Sequence, residues 1–229
     1  MDLFEAYPHL KEESDPVLRG RALRLIGLSA IVYDAESFYF ELSAQSFWTR
    51  HAQGGISVGV GGMQSRLEAK QTPVDILMGH LRSEWKCTPR FSPPGQTYVL
   101  EGEKLVTVGG LGLQALSAPF FMILTAPRLG GGPEVPDALA QAVYLTPTER
   151  RPRLGRNASG MLAVKRASLG EFFGQDEWFW PELKAQNWAR LEAAQPLPEE
   201  AHFKPVLALR GLRQLWQAGL FVLNGAEAE

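Results

Sequence analysis

The 229-residue chain is 45% apolar and 10% aromatic, enough to bury one sizeable core, so one domain with elaborations is expected rather than two. Its formal charge of −2 and pI near 6.1 give no basic footprint for polymeric nucleic acid, though a small nucleotide stays within reach. The single cysteine, Cys87, excludes an internal disulfide framework; with no leader-like start and no window of bilayer length, the expectation is a cytoplasmic protein with no membrane partner.

The divisions expected along the chain are an N-terminal extension over 1–20, a core over about 21–175, C-terminal helices over about 176–224 and a flexible tail at 225–229. Leu23 to Tyr33 reads as a long strand, with Phe38 to Leu42 as its partner across an Asp34-Ala35-Glu36 turn. Arg50 and His51 precede the next strand, where they could meet a phosphate or simply be exposed. Ile56 and Val58 lead into Gly59, Gly61 and Gly62, small residues that let the backbone turn tightly or lie close to a ligand. A helix follows, with Thr72 as N-cap, Pro73 at its first position and Asp75 in its first turn. Val74, Leu77, Met78, Leu81 and Trp85 recur at helical spacing and form its inner stripe.

On that helix His80 and Glu84 lie one turn apart beside the stripe, with Ser83 further round. Glu68, on the preceding loop, could approach them and complete a site of two carboxylates and an imidazole. The plainer alternative is a solvated polar flank. The run from Gly61 to Cys87 resembles a Nudix box, whose pattern is G-x5-E-x7-R-E-U-x-E-E-x-G-U with U a bulky aliphatic residue. Gly62 and Glu68 have the opening spacing, and Gly61–Gly62 looks like the paired glycine that begins the box. Keeping Glu84 as the last box glutamate requires about three extra residues in the loop, a change that surface loops tolerate. Gly79 then stands in place of arginine, His80 and Ser83 in place of two helix glutamates, Lys86 in place of glycine and Cys87 in place of the last aliphatic residue.

The resemblance implies a Nudix-type α/β/α sandwich with a mixed β-sheet, a nucleoside diphosphate derivative or related pyrophosphate as ligand, and magnesium or manganese as cofactor. Glu84 would be the metal ligand, Glu68 an assisting carboxylate and second ligand, and His80 a replacement ligand or base. Gly61, Gly62, Arg50 and Arg153 would meet the substrate. Magnesium prefers oxygen ligands, so His80 and Ser83 in place of carboxylates weaken its hold, whereas imidazole suits zinc or nickel. Two readings follow: slow metal-assisted hydrolysis, or an inactive Nudix fold serving as ligand sensor or protein-interaction module. A third treats the box as coincidental in an unrelated α/β protein. Homo-oligomerisation is left open.

Past the box, Tyr98 to Leu100 and Lys104 to Val108 read as a hairpin about Glu101-Gly102-Glu103. Gly110, Gly112 and Ala115 have dinucleotide-loop spacing, but Pro119 leaves too little room for the helix that such a loop needs. Pro119 to Thr125 and Leu139 to Leu145 read as strands, with a mobile loop at Gly130 to Pro133 between them. Arg150, Arg151, Arg153 and Arg156 make a basic loop suited to phosphate, or a solvated one. Met161 to Lys165 is a strand, and Ser168 to Phe173 a short helix with a Ser168–Glu171 capping box. Trp178, Phe179, Trp180 and Trp188 either pack a helix onto the body or stack on a base. A final helix is expected from about Phe203 to Leu220, with Val206, Leu209, Leu212, Trp216 and Leu220 inward.

Overall fold

Side-chain alternation along the first long strand sorts the core into two halves. β1 (Leu23–Tyr33) sends Leu23, Leu25, Leu28, Ala30 and Val32 to one side and Ile31 to the other. The change of parity between Leu25 and Leu28 follows from an irregularity in pairing between Leu25 and Gly27, where one extra residue flips the faces. β2 (Ser37–Leu42) places Tyr39 on the first side and Phe38, Phe40 and Leu42 on the second. β9 (Ala138–Pro147) and β10 (Gly160–Lys165) divide their residues in the same way.

A computed structural model describes residues 1–8, 10, 18, 20–68, 71–91, 96–102, 104–108, 118–127 and 135–221. One sheet of thirteen strands runs through them. The further strands are β3 (Thr49–Arg50), β4 (Ile56–Gly61), β5 (Met63–Ser65), β6 (Thr97–Glu101), β7 (Lys104–Val108) and β8 (Phe121–Thr125). After β10 come β11 (Trp178–Phe179), β12 (Ala189–Ala193) and β13 (Ala201–Pro205). The main path is β11-β13-β4-β2-β1-β9-β8-β6-β7, with β10 and β5 attached at β2 and β1, β12 at β10 and β3 at β4. Pairs β1/β9, β4/β13 and β6/β8 are parallel and the others antiparallel, so the sheet is mixed.

Five helices lie among the described residues: α1 (Leu3–Ala6), α2 (Pro73–Glu84), α3 (Leu169–Phe173), α4 (Trp180–Lys184) and α5 (Ala208–Gln217). α2 buries Ile76, Leu77 and Leu81 on the first face of the sheet. α5 buries Ala208, Leu209, Leu212 and Leu215 on the second, making an α/β sandwich.

α2 begins and ends as its residues dictate. The Thr72 hydroxyl accepts the Asp75 N–H at 3.2 Å, and Pro73 opens the first turn without needing a donor. At the far end Lys86 has φ 46°, and the Cys87 N–H reaches back to the Leu81 carbonyl at 3.3 Å. That left-handed residue is the usual stop for a helix, ordinarily supplied by glycine.

Several expectations change. β1 meets β2 only at Val32↔Tyr39 and Tyr33↔Phe38; its long partner is β9, parallel from Leu23↔Ala138 to Tyr33↔Pro147. Phe203 lies on β13 rather than in the last helix, because Pro205 opposes a helix there and the strand pairs with β4. Residues 189–193 are likewise a strand, against β10. Ser168 makes no side-chain cap, since a 3-10 turn over Arg166–Ser168 runs into α3. The Gly110–Ala115, Gly130–Pro133 and 225–229 segments lie outside the described residues. No helix among those described is long and apolar enough to cross a membrane.

Candidate functional site

The glycines ending β4 lie where four strands meet. β4 pairs with β2 at Glu41↔Gly61 and Leu42↔Val60, and β5 with β1 at Ser29↔Gln64. Gly62, at the corner, presses on β1: a Cβ there would stand 2.5 Å from the Ser29 hydroxyl and 2.9 Å from the Ala30 carbonyl. Any side chain would force the strands apart. Gly59, Gly61 and Gly62 thus floor an open cleft of about 500 Å³, walled by Glu41, Gln64, Asn157 and Lys204.

One carboxylate, Glu41, lines it, and a second, Glu84, lies behind Asn157, near enough for Glu41 to feel its charge. Burial, partly offset by the Gln64 N–H bonded to its Oε2 at 3.0 Å and assisted by the negative charge of Glu84, pushes the Glu41 carboxyl up to about 7. Glu84 closes α2, and its Oε1 accepts the Asn157 side-chain amide at 3.2 Å and the Ser83 hydroxyl at 3.4 Å. Its Oε2 is buried and has no hydrogen-bond partner among the described residues. A carboxylate oxygen removed from water without a donor is costly, and a cation would satisfy it. Glu84 is not itself in the cleft wall; Asn157, which binds it, and Glu41, which feels its charge, both are.

The Arg150 to Arg156 loop is strapped to the end of α2. The Arg153 N–H donates to the Trp85 carbonyl at 2.9 Å, and the Gly155 N–H to the Glu84 carbonyl at 2.6 Å. Gly155 is confined, because a Cβ would lie 2.4 Å from the Ser83 carbonyl. This strap delivers Asn157 to Glu84.

The other residues singled out by sequence are placed elsewhere. Glu68 is exposed and accepts from the Gln71 side chain at 2.7 Å; no hydrogen bond or ion pair among the described residues joins it to Glu84. His80 turns to β5, its Nδ1 2.6 Å from the Ser65 hydroxyl. Arg50 is exposed on β3, and Arg153 is exposed on the strap. Neither is in the cleft wall. Gly61 and Gly62 are in it. Trp178 and Trp188 are buried in the second half of the core, packed edge to face at 5.4 Å, which favours packing over base stacking for these two, whereas Phe179 and Trp180 are half-buried. Cys87 is a buried free thiol that burial pushes up to about 11, too high for a nucleophile.

A second cluster joins His51 beyond β3, Glu177 before β11 and His202 on β13. Their donor atoms lie within 4.8 Å of one another, so the group could hold a metal ion, and its nitrogen and oxygen donors suit zinc or nickel. The two rings are stacked, with centroids 3.7 Å apart and planes 8° from parallel. His51 Nδ1 accepts the Gln53 N–H at 3.2 Å, which leaves the ring proton on Nε2, 3.0 Å from Glu177. Lys204 stands 3.4 Å from the same carboxylate. Against the cost of burial, the His51 bond and Lys204 keep Glu177 below the usual carboxylate range. Ligating histidines normally donate their second N–H, so a metal on His51 would have to displace a proton and break the Gln53 contact.

No family model and no curated protein matches the chain. Glu41, Asn157 and Lys204 escaped the sequence reading because strand pairing and the strap assemble them from distant segments. The one local signal was Glu41 itself, an acid in the otherwise apolar run Phe38 to Leu42.

Proposed function

We propose that the chain binds a nucleoside diphosphate derivative, or a related pyrophosphate, in the glycine-floored cleft, with a magnesium or manganese ion held by Glu84 and Glu41. The observation that carries this reading is the buried Glu84 Oε2 with no hydrogen-bond partner, next to a second carboxylate that burial and Glu84 hold near neutrality. Glu41 takes the place that the sequence assigned to Glu68. Two carboxylates are enough, because magnesium is commonly bound by one or two of them together with substrate phosphates. When bound, such an ion supplies charge stabilisation to the pyrophosphate. Gly59 and Gly61 line the cleft beside Val206, Lys204 shares its charge between the wall and Glu177, and Asn157 holds Glu84 in place.

On the Nudix resemblance Lys86 stands where the box has glycine, and it has the positive φ that many helix ends share. A cytoplasmic location is part of the same proposal and accords with a lone, buried, unpaired thiol.

A second reading, a ligand sensor or interaction module without turnover, is favoured by the engagement of Glu68 with Gln71 and of His80 with Ser65, which leaves few groups for chemistry. Manganese titration followed by electron paramagnetic resonance tests the ion site. The expected result is at least a tenfold loss of affinity in Glu84→Gln and Glu41→Gln and none in Glu68→Gln, since direct ligands contribute more than this. Equal binding by all variants would refute the assignment.

A further inference from the structure

The aromatic side chains of this chain are mostly buried, and Trp178 and Trp188, the residues that sequence offered for base stacking, are among the buried ones. Phe47 is the opposite case. It is 73% exposed, the most exposed of the large hydrophobic residues described, and it forms part of the cleft wall. An apolar ring left in water at a cleft rim is available to a ligand that would cover it.

Its mounting is rigid. Phe47 ends the 3-10 turn Gln45–Phe47, closed by its own N–H to the Ala44 carbonyl at 2.8 Å and the Trp48 N–H to the Gln45 carbonyl at 3.0 Å. The Trp48 indole N–H donates to the Ser43 carbonyl at 2.9 Å. Ser43 is tied twice to Gly59, through its N–H to the glycine carbonyl at 2.8 Å and its hydroxyl accepting the glycine N–H at 2.9 Å. The backbone that carries the ring is therefore tied to the floor of the cleft. The volume of about 500 Å³ falls within the range of small-molecule sites, which combine apolar surface with a few placed polar groups.

We infer that Phe47 is the stacking platform for the planar ring of a nucleobase, seated in the cleft with the pyrophosphate directed toward Glu41 and Asn157. This rests on the cleft being the ligand site proposed above and adds what it selects: a nucleotide over a pyrophosphate with no aromatic ring. Stacking of a base on an aromatic side chain contributes about 1–3 kcal/mol, or roughly 5- to 150-fold in affinity.

The test is calorimetric titration of the full chain with manganese and either ADP or inorganic pyrophosphate, for wild type, Phe47→Ala and Phe47→Trp. Because Phe47 is exposed, both variants keep the fold, which far-ultraviolet circular dichroism checks. The expected result is a 5- to 150-fold loss of ADP affinity in Phe47→Ala, unchanged pyrophosphate affinity, and recovery of ADP binding in Phe47→Trp with quenching of indole fluorescence. ADP affinity that ignores Phe47→Ala, or falls no more than that of pyrophosphate, overturns the stacking role while leaving the ion site standing. Wild-type protein that binds neither compound overturns the cleft reading and this inference together.

Discussion

Glu84 and Asn157, 73 residues apart in sequence, are joined by a 3.2 Å hydrogen bond that fixes the last carboxylate of α2 against the wall of the cleft. The strap that makes this bond depends on Gly155, whose missing side chain lets the loop touch the Ser83 and Glu84 carbonyls. Gly155→Ala should destabilise the fold by about 1–3 kcal/mol, the usual cost of overpacking, and Asn157→Ala by less. Urea unfolding of the two variants checks the order.

Glu41 makes stability depend on pH. Its carboxyl ordinarily titrates near 4.5 and is raised to about 7 by burial and by Glu84, so the folded state holds the proton more tightly than the unfolded one. The metal-free protein should lose stability as pH rises from the lower value through the upper. Glu41→Gln removes that loss, and the variant should exceed wild type by on the order of 1–3 kcal/mol at pH 8, with the difference vanishing near pH 4.5. Thermal unfolding in chelator across this range measures it; a constant gap would contradict the assignment.

Lys86 carries a backbone cost that its side chain does not need. A non-glycine residue in the left-handed region costs about 1–2 kcal/mol, so Lys86→Gly should stabilise the protein by about 1 kcal/mol. Chemical denaturation midpoints decide it.

The two helix starts should behave differently. Thr72→Ala removes a side-chain cap and should cost about 1 kcal/mol, while Ser168→Ala removes none and should cost little. Equal losses in the two variants would show that the Ser168 hydroxyl supports α3 in some other way.

α2 was legible almost residue by residue, since Thr72, Pro73 and the apolar spacing act within a few positions of one another. The strand from Leu23 to Tyr33 was legible as a strand but not in its pairing, because β9 reaches it from more than a hundred residues away. Phe203 misled for the same reason: its pairing with Val58 is invisible along the chain, and the periodicity of the following helix extends back over it. In the site, Gly61, Gly62 and Glu84 carry local signals of spacing and caps. Glu41 and Asn157 carry almost none, since their proximity to Glu84 is made by sheet register and by a loop closing on a helix end. Glu68 and His80 were placed by spacing alone, and the hydrogen bonds to Gln71 and Ser65 show what spacing leaves out.

The central claim is that Glu84 and Glu41 hold an ion through which the cleft takes a pyrophosphate-bearing nucleotide. Calorimetric titration with ADP-ribose and nucleoside di- and triphosphates, with and without magnesium or manganese, and with released phosphate assayed in each mixture, tests it most directly. The account predicts binding that requires the metal and is lost in Glu84→Gln, with any turnover lost alongside. Binding indifferent to both the metal and Glu84→Gln, or no binding of any of these compounds, would contradict it.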